Sequence, residues 1–268
     1  MSGPQPATDR EIVVEHDGPV ATIWLNRPAK RNAMTIAMWA AVGEAARDLA
    51  TDDTVRVLVV RGAVDAFCAG ADISGLRDEG GVSYAEVNAA AEQALAAFPK
   101  PTVAFIEGPC VGGGVQLAMA CDLRIATTEA TFGITPARLG ILYPAPSLER
   151  VVAQVGASAA KLLFFTAELI TAARAERIGL VDEALPAVEA AERLASLCGV
   201  LAGRSLFTQQ ASKEMIDAAH RHGAVDPELS AWWTAELAAS EDQAEGVAAF
   251  LERRPPAFTW TGPRAARP

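Results

Sequence analysis

Short apolar runs alternate with segments of helical periodicity along the first two thirds of the chain. Residues 12–14 and 20–25 are apolar and flank Asp17-Gly18-Pro19, a spacing that predicts a β-hairpin. Later apolar runs predict further strands, and the segments between them have the spacing of helix faces. We expect strands at residues 55–60, 102–106, 122–126, 130–132 and 181–184, and helices at 35–50, 83–98, 147–155, 157–166 and 172–178. Alternating strands and helices indicate parallel βαβ units.

The last third of the chain has a helical pattern only. From Pro186 onward, breaks near Gly203, residues 223–227 and Ser240 predict about four helical segments. A chain of 268 residues can form one large or two small domains. We therefore divide it into a core at residues 1–200 and a helical C-terminal region at residues 201–268.

Residues 105–117, FIEGPCVGGGVQL, join the strand predicted at 102–106 to an Ala-, Leu- and Met-rich helix. Glycines at such a junction let a ligand approach the main chain, and the helix N-terminus supplies unpaired N–H groups. The arrangement suits an anion, or an oxygen that becomes anionic during a reaction. A Walker phosphate loop is excluded because Gly114 is not followed by Lys-Ser/Thr, and a dinucleotide fingerprint because Asp122 comes too early. A helix packed tightly on a strand explains this stretch equally well.

A second stretch, FCAGADI at residues 67–73, also follows a predicted strand and has small residues at 68–71. Two N–H groups from different segments that converge on one oxygen form an oxyanion hole. In such a hole each donor contributes about 3 kcal/mol to the stability of a transition state. The presence of two such segments favours the ligand-binding interpretation of both.

The composition is that of an ordinary globular protein, with 51% hydrophobic and 21% charged residues. A formal net charge of −10 argues against binding to nucleic acid or to an anionic membrane. The sequence has no apolar signal core and no run of about 20 apolar residues, so we expect a cytoplasmic protein. The four cysteines lack clustered spacing and there are three histidines, so we expect no metal site.

Three motifs taken together point to a family. FCAGADI at residues 67–73, GPCVGGGVQLAMACDLRIA at 108–126 and FLERRPPAF at 250–258 closely resemble the enoyl-CoA hydratase/isomerase family, also called the crotonase superfamily. The resemblance covers nearly the whole chain. It implies an α/β fold, a crotonase-like spiral of ββα units, with a helical C-terminal region that serves oligomerisation. It also implies a homo-oligomer, either a trimer or a pair of trimers.

The same resemblance assigns a ligand and several site residues. The ligand is an acyl-CoA thioester, as substrate or bound molecule, and no cofactor is permanently bound. Its carbonyl oxygen would lie between the backbone N–H groups of Ala71 and Gly113, which would stabilise the enolate. Residues near the rest of coenzyme A would be Ala69 and Ile73, along its path, and the cations Arg27, Lys30 and Arg31, near its phosphates. From the sequence alone, such cations more often belong to a solvated loop.

The chain departs from the family at the two positions that matter for hydration. Hydratases of this family hold one water between two glutamates, one acting as base and one as acid. Gln116 and Pro136 stand at these two positions here. An amide cannot accept a proton at neutral pH, and proline has no side-chain donor. Losing such groups typically costs about 100- to 10,000-fold each, so we do not expect hydration by the usual mechanism.

The loop after Pro136 resembles a different branch of the superfamily. Thr135-Pro136, Leu139-Gly140 and Tyr143 match the spacing in methylmalonyl-CoA decarboxylase-like members. Decarboxylation needs no base, but it needs an oriented carboxylate, an oxyanion hole and a weak acid. Tyr143 would orient the carboxylate or deliver the proton, with Thr135 assisting. The match is partial, because that decarboxylase has histidine where this chain has Ala71, and Tyr143 fits a loop aromatic that closes the acyl site equally well.

Three hypotheses of function therefore remain. The first, which we favour, is a decarboxylase-like or other non-hydratase enzyme that forms a thioester enolate. The second is a hydratase or isomerase that recruits another acid. Asp72 is a candidate for it, although a structural role fits Asp72 better, and Glu107 and Glu149 are weaker candidates. The third is an acyl-CoA binding protein without catalysis.

Overall fold

The computed structural model of the chain describes residues 8–72 and 83–263. These residues form two compact units, one within Met1–Phe98 and Thr102–Ser196, the other within Pro99–Pro101 and Leu197–Pro268. The first unit combines sheets and helices, and the second is helical. The predicted α/β class is therefore confirmed.

Nine strands are found among the described residues. They are β1 (Ile12–Asp17), β2 (Val20–Leu25), β3 (Val57–Gly62), β4 (Thr102–Ile106), β5 (Pro109–Val111), β6 (Leu123–Thr127), β7 (Thr131–Gly133), β8 (Ile170–Thr171) and β9 (Glu183–Leu185). Six of them form a sheet in the order β1-β2-β3-β4-β6-β9, in which only β1 and β2 pair antiparallel. A second sheet has the order β5-β7-β8.

Ten α-helices and one 3-10 turn, Pro28–Lys30, lie in the described part of the chain. The helices are α1 (Ile36–Ala50), α2 (Tyr84–Ala96), α3 (Gly113–Ala120), α4 (Pro136–Leu139), α5 (Ala145–Thr166), α6 (Ala172–Arg177), α7 (Ala187–Ala202), α8 (Leu206–His222), α9 (Pro227–Ala239) and α10 (Asp242–Glu252). Local sequence signals fix several ends. The hydroxyl of Thr35 accepts a hydrogen bond from Met38 N, which caps α1. Thr171 caps α6 in the same way.

Burial follows the predicted periodicity. All of β4 is buried, as expected of a central strand with both faces covered. Helix α1 buries Met38, Trp39, Val42, Ala46 and Leu49, at the three- and four-residue spacing of one face. That face packs against α2 and the main sheet. All four cysteines are buried, as expected of small apolar side chains.

Two differences from the sequence-based elements have simple physical reasons. The helices predicted at residues 147–155 and 157–166 are the two halves of α5, which break at Gly156 with φ 75° and ψ 162°. Strand β5 was not predicted, because three residues after a Gly-Pro pair carry no periodicity. It exists because Cys110 pairs with Phe132 of β7 and forms a bridge with Cys68.

The C-terminal unit contains α8, α9 and α10. Its core is an aromatic cluster in which Phe207 contacts Trp233 and Trp260 edge to face, at centroid distances of 5.5 and 5.4 Å. Asp242 is buried there, and its carboxylate accepts hydrogen bonds from Ser205 Oγ (2.7 Å) and Trp260 N (3.2 Å). No helix among the described residues is both long and apolar enough to cross a bilayer.

The N-terminus of α3 packs unusually close to the segment that follows β3. Cys68 N donates to Pro109 O at 2.9 Å, and Val111 N donates to Cys68 O at 2.9 Å. A β carbon on Gly114 would lie 2.5 Å from Cys68 O, a distance that real side chains do not reach. At Gly112 the chain turns into α3 with φ 52° and ψ −107°, a conformation that glycine adopts without steric cost because it has no β carbon. Glycine is therefore required here for packing.

We predict that Gly114→Ala destabilises the protein by about 1–3 kcal/mol, because the added methyl group forces α3 away from Cys68. The free energy of unfolding in urea measures this. The matched control is Gly199→Ala in α7, where a β carbon meets nothing within 4 Å, and which should be neutral or slightly stabilising. Equal stability of Gly114→Ala and wild type would contradict this account of the packing.

Candidate functional site

Two backbone amides from separate segments lie side by side in the first unit. Met34 N donates to Gly70 O and Asp72 N donates to Met34 O, both at 2.8 Å, so the N–H of Ala71 points away from Met34. Gly113 is the first residue of α3, and its N–H has no acceptor within the helix. Across residues 8–72 and 83–263, neither amide donates to a protein acceptor.

The separation of these amides is small. A β carbon built on Gly113 would lie 3.6 Å from Ala71 N. A β carbon built on Gly70 would lie 3.9 Å from Gly113 N. Both N–H groups can therefore reach one atom, and the N-terminal end of α3 adds a partial positive charge. Such an arrangement stabilises negative charge on an oxygen.

Gln116 lies beside these amides and is 5% exposed. Its Oε1 is 3.6 Å from the same β-carbon position on Gly113. Its Nε2 donates to Ser147 Oγ at 3.1 Å, and its Oε1 accepts from Asn88 Nδ2 at 3.2 Å. The side-chain amide is thus held from both ends, with its oxygen on the side of Gly113.

Behind Gln116 the hydrogen bonds continue to a buried carboxylate. Ser147 Oγ donates to Glu92 Oε2 at 2.6 Å, and Arg150 Nη1 forms an ion pair with Glu92 Oε1. Glu92 is 2% exposed. Burial raises the pKa of Glu92, while the hydrogen bond from Ser147 and the charge of Arg150 oppose that rise. A carboxylate therefore lies two hydrogen bonds from the side chain of Gln116, which itself lies beside the paired amides.

Sequence reasoning missed this network. Asn88 and Glu92 are four residues apart on α2, and both are buried among Ala91 and Leu95. Two polar residues on the buried face of an Ala-rich helix were the available signal. The acids considered instead are engaged or exposed. Asp72 pairs with Arg27 and Glu107 with Arg61, each at 2.7 Å, and Glu149 is exposed.

Tyr143 and Thr135 both lie at the start of α3. The Tyr143 hydroxyl donates to Gly112 O at 3.1 Å, and its ring packs edge to face on Phe164 at a centroid distance of 5.2 Å. Burial raises the pKa of Tyr143 well above its ordinary value. Thr135 Oγ1 is 3.7 Å from the position of a β carbon on Gly112. The phenol is thus bonded to the backbone that holds the α3 N-terminus. Pro136, the first residue of α4, is half-buried and offers no donor there.

A second aromatic pair forms another side of the site. Trp39 Cζ2 is 3.1 Å from the β-carbon position on Gly113, and Trp39 Nε1 donates to the hydroxyl of Tyr84 at 2.7 Å. Burial raises the pKa of Tyr84 to about 12. The sequence predicted a site role for neither residue. The position of Trp39 in α1 is that of an ordinary buried core residue.

The basic loop lies next to the Ala71 segment. Ala69 N donates to Arg31 O at 2.9 Å, which joins the loop to that segment. Arg27 forms ion pairs with Asp72 and with Glu11, so its charge is already balanced by carboxylates. Lys30 and Arg31 are exposed.

Two further predicted features remain. Ile73, expected along the path of coenzyme A, lies outside the described residues. Within the part of the chain that is described, no three His, Cys, Asp or Glu side chains group as metal ligands.

The chain is similar to proteins that carry one family description. The family model "Enoyl-CoA hydratase/isomerase" matches residues 15–261. A 2,3-dehydroadipyl-CoA hydratase from Escherichia coli is 33% identical over 257 residues, covering 92% of this chain and 98% of the relative. A crotonyl-CoA hydratase from Syntrophomonas wolfei is 33% identical over 254 residues, covering 91% and 95%.

Solved structures agree with these sequence matches. The crystal structure of an enoyl-CoA hydratase/isomerase family member is 38% identical and superposes with a TM-score of 0.87, over 94% of this chain and 97% of that one. The crotonase-like fold expected from the motifs is therefore confirmed. With the match spanning most of its length and its glycine-rich segments side by side, the chain belongs to the enoyl-CoA hydratase/isomerase family.

Proposed function

We propose that the protein binds an acyl-CoA thioester and stabilises its enolate, with the thioester oxygen between the N–H groups of Ala71 and Gly113. The observation that carries the proposal is the 3.6 Å between Ala71 N and the β-carbon position on Gly113, which puts both donors within reach of one oxygen. Each donor contributes about 3 kcal/mol to the stability of a transition state. Family membership supports the thioester as the ligand.

The reaction we propose is decarboxylation of a malonyl-type thioester rather than hydration. The bond between C2 and the carboxylate carbon breaks, its electron pair becomes the enolate, carbon dioxide leaves, and a proton from a weak acid or water returns to C2. No base is needed. Gln116 and Pro136 support this, because neither can accept or donate the protons that hydration requires. Thr135 and Tyr143, which we expected to assist, lie together at the start of α3.

For Tyr143 we propose a supporting role over proton delivery. Its hydroxyl proton is directed to Gly112 O, and a phenol whose pKa is raised by burial is a poor acid. The hydrogen bond holds the residue that precedes Gly113, so Tyr143 acts on the position of the Gly113 amide. For coenzyme A, we propose that Lys30 and Arg31 lie near its phosphates, with Ala69 along its path, because both cations are exposed and Arg27 is paired.

Hydration or isomerisation with another acid is the second candidate function. One observation favours it: Glu92 is a buried carboxylate connected to Gln116 through Ser147. Glu92 was not among the acids considered from the sequence. The hydrogen bonds from Glu92 end at the side chain of Gln116, and an amide cannot accept a proton at neutral pH. We therefore place this function second.

We also propose that the protein is a homo-oligomer, a trimer or a pair of trimers. Leu142 is 92% exposed and Phe165 is 73% exposed, and exposed apolar side chains of this size mark an association surface where they form a contiguous patch. We predict a trimeric or hexameric mass in sedimentation velocity, and a shift towards monomer in Leu142→Asp with Phe165→Asp. A monomeric wild-type protein at micromolar concentration would refute the assembly.

The proposed reaction predicts a distinct outcome for each thioester. Incubation with crotonyl-, malonyl- and methylmalonyl-CoA, followed by mass spectrometry, should show loss of carbon dioxide from a malonyl-type substrate and no efficient hydration of crotonyl-CoA. Hydration at about 1 s⁻¹ or faster, which is ordinary for enzymes, would show that our interpretation of Gln116 and Pro136 is wrong. Tight binding without any turnover would favour the non-catalytic hypothesis.

The variant that tests the oxyanion hole in the same panel of thioesters is Gly113→Ala. The added methyl group would lie 3.1 Å from Trp39 and 3.6 Å from Ala71 N, in the space proposed for the thioester oxygen. We expect turnover to fall by about 100-fold or more. Unchanged turnover in a folded Gly113→Ala protein would rule out the oxyanion hole at this place.

The supporting role of Tyr143 predicts a mild effect of Tyr143→Phe. Turnover should stay within about tenfold of wild type, and stability should fall by about 1 kcal/mol through loss of one hydrogen bond. Gly112 O keeps its second partner, Gln116 N at 3.2 Å. A loss beyond about 100-fold, the size typical of a lost acid, would instead establish Tyr143 as the proton donor.

A further inference from the structure

The hydrogen bonds that join α3 to α5 and α5 to α2 donate in one direction, from Gln116 to Ser147 and from Ser147 to Glu92. An ionised carboxylate can only accept, so the single hydroxyl proton of Ser147 must go to Glu92, at 2.6 Å. Ser147 Oγ can then only accept from Gln116, and the group it faces, at 3.1 Å, is the Nε2 of that side chain. The charge on Glu92 thus decides which end of the Gln116 amide points to Ser147.

The other end of the amide is fixed as a consequence. With Nε2 on Ser147, Oε1 lies towards Asn88 and Gly113. An amide oxygen has two acceptor sites, and Asn88 Nδ2 uses one of them. The Gln116 oxygen and Ala71 N are both 3.6 Å from the same β-carbon position on Gly113. The second acceptor site is therefore close to a group bound at the paired amides.

The reverse orientation of the amide is disfavoured. A flipped Gln116 would place its oxygen against the oxygen of Ser147, whose proton is already committed to Glu92. It would also place its Nε2 against the Nδ2 of Asn88. The flip therefore creates one acceptor–acceptor and one donor–donor contact in a buried site, and each leaves polar groups unsatisfied, which is costly. Arg150 balances the charge of Glu92, so the carboxylate can remain ionised beneath the site.

We propose that Glu92 is a positioning residue which, through Ser147, holds the Gln116 amide so that its oxygen faces the bound acyl group. The site then offers that group a hydrogen-bond acceptor and favours a thioester whose acyl chain carries a donor, such as a hydroxyl. A carboxylate on the acyl chain is repelled by the same oxygen, which fixes the side of the thioester from which carbon dioxide leaves. This inference rests on the proposed acyl-CoA site.

The test compares two thioesters matched in acyl length, 3-hydroxybutyryl-CoA and butyryl-CoA, by isothermal titration calorimetry. The wild-type protein should bind the hydroxylated thioester about fivefold more tightly, the effect of one hydrogen bond. In Glu92→Gln this ratio should fall to about one, because a neutral amide at position 92 can donate to Ser147 and frees Gln116 to turn. Arg150 is partly exposed, so its charge can be solvated in this variant.

A second variant tests the same positioning role without breaking the ion pair between Glu92 and Arg150. Ser147→Ala removes the connecting hydroxyl but leaves Glu92 and Arg150 paired, and it should lower the ratio in the same way. The control is Glu86→Gln, an exposed glutamate in the first turn of the same helix, which should keep the wild-type ratio. A merely structural role of Glu92 would weaken the binding of both thioesters alike and leave the ratio unchanged.

Each remaining outcome decides a different claim. A wild-type ratio in folded Glu92→Gln and Ser147→Ala proteins would overturn the positioning role. Binding of butyryl-CoA to the wild-type protein with no gain from the hydroxyl would overturn the orientation of Gln116 while leaving the acyl-CoA site standing. Failure of the wild-type protein to bind either thioester would overturn the proposed function, and the inference with it.

Discussion

The close packing of α3 against residues 68–71 is the constraint on which the site depends. The chain brings two backbone segments together without side chains between them. The backbone of Cys68 forms hydrogen bonds with the backbones of both Pro109 and Val111. A β carbon on Gly114 would overlap Cys68 O. Because backbone bonds and the absence of side chains fix this distance, the amides of Ala71 and Gly113 are positioned before any ligand binds. Such preorganised donors need no rearrangement during a reaction.

Beside the Gly113 amide the nearest side chains, those of Trp39 and Gln116, are neutral, and the closest buried carboxylate in this network lies further away. Gln116 is next to Gly113, whereas the carboxylate of Glu92 is reached only through Ser147. A buried polar network stabilises a fold only when every member has its partners, and otherwise it is worse than an apolar core. Asn88, Gln116, Ser147, Glu92 and Arg150 satisfy one another. A network of this kind holds its members in fixed orientations.

Different parts of the molecule determine its family and its reaction. The fold and the glycine-rich segments match across most of the chain. The reaction depends on a few side chains around them, since one fold supports several chemistries through changes at its site. We propose that Gln116 and Pro136 are such changes. In our proposal the same backbone donors stabilise an enolate whichever bond is broken to form it.

The sequence by itself determined most of the strands and helices, the two segments of small residues within 67–73 and 105–117, and the neutral residues Gln116 and Pro136. These follow from local periodicity, glycine content and residue chemistry, which need no knowledge of distant contacts. Only the tertiary structure decided that β5 forms, that Tyr143 bonds to Gly112, and that Glu92 lies beneath the site. Glu92 meets Ser147 and Arg150 across 55 and 58 residues of sequence. No local pattern reveals whether an acid on an Ala-rich helix is buried and paired, because burial is set by what packs against it.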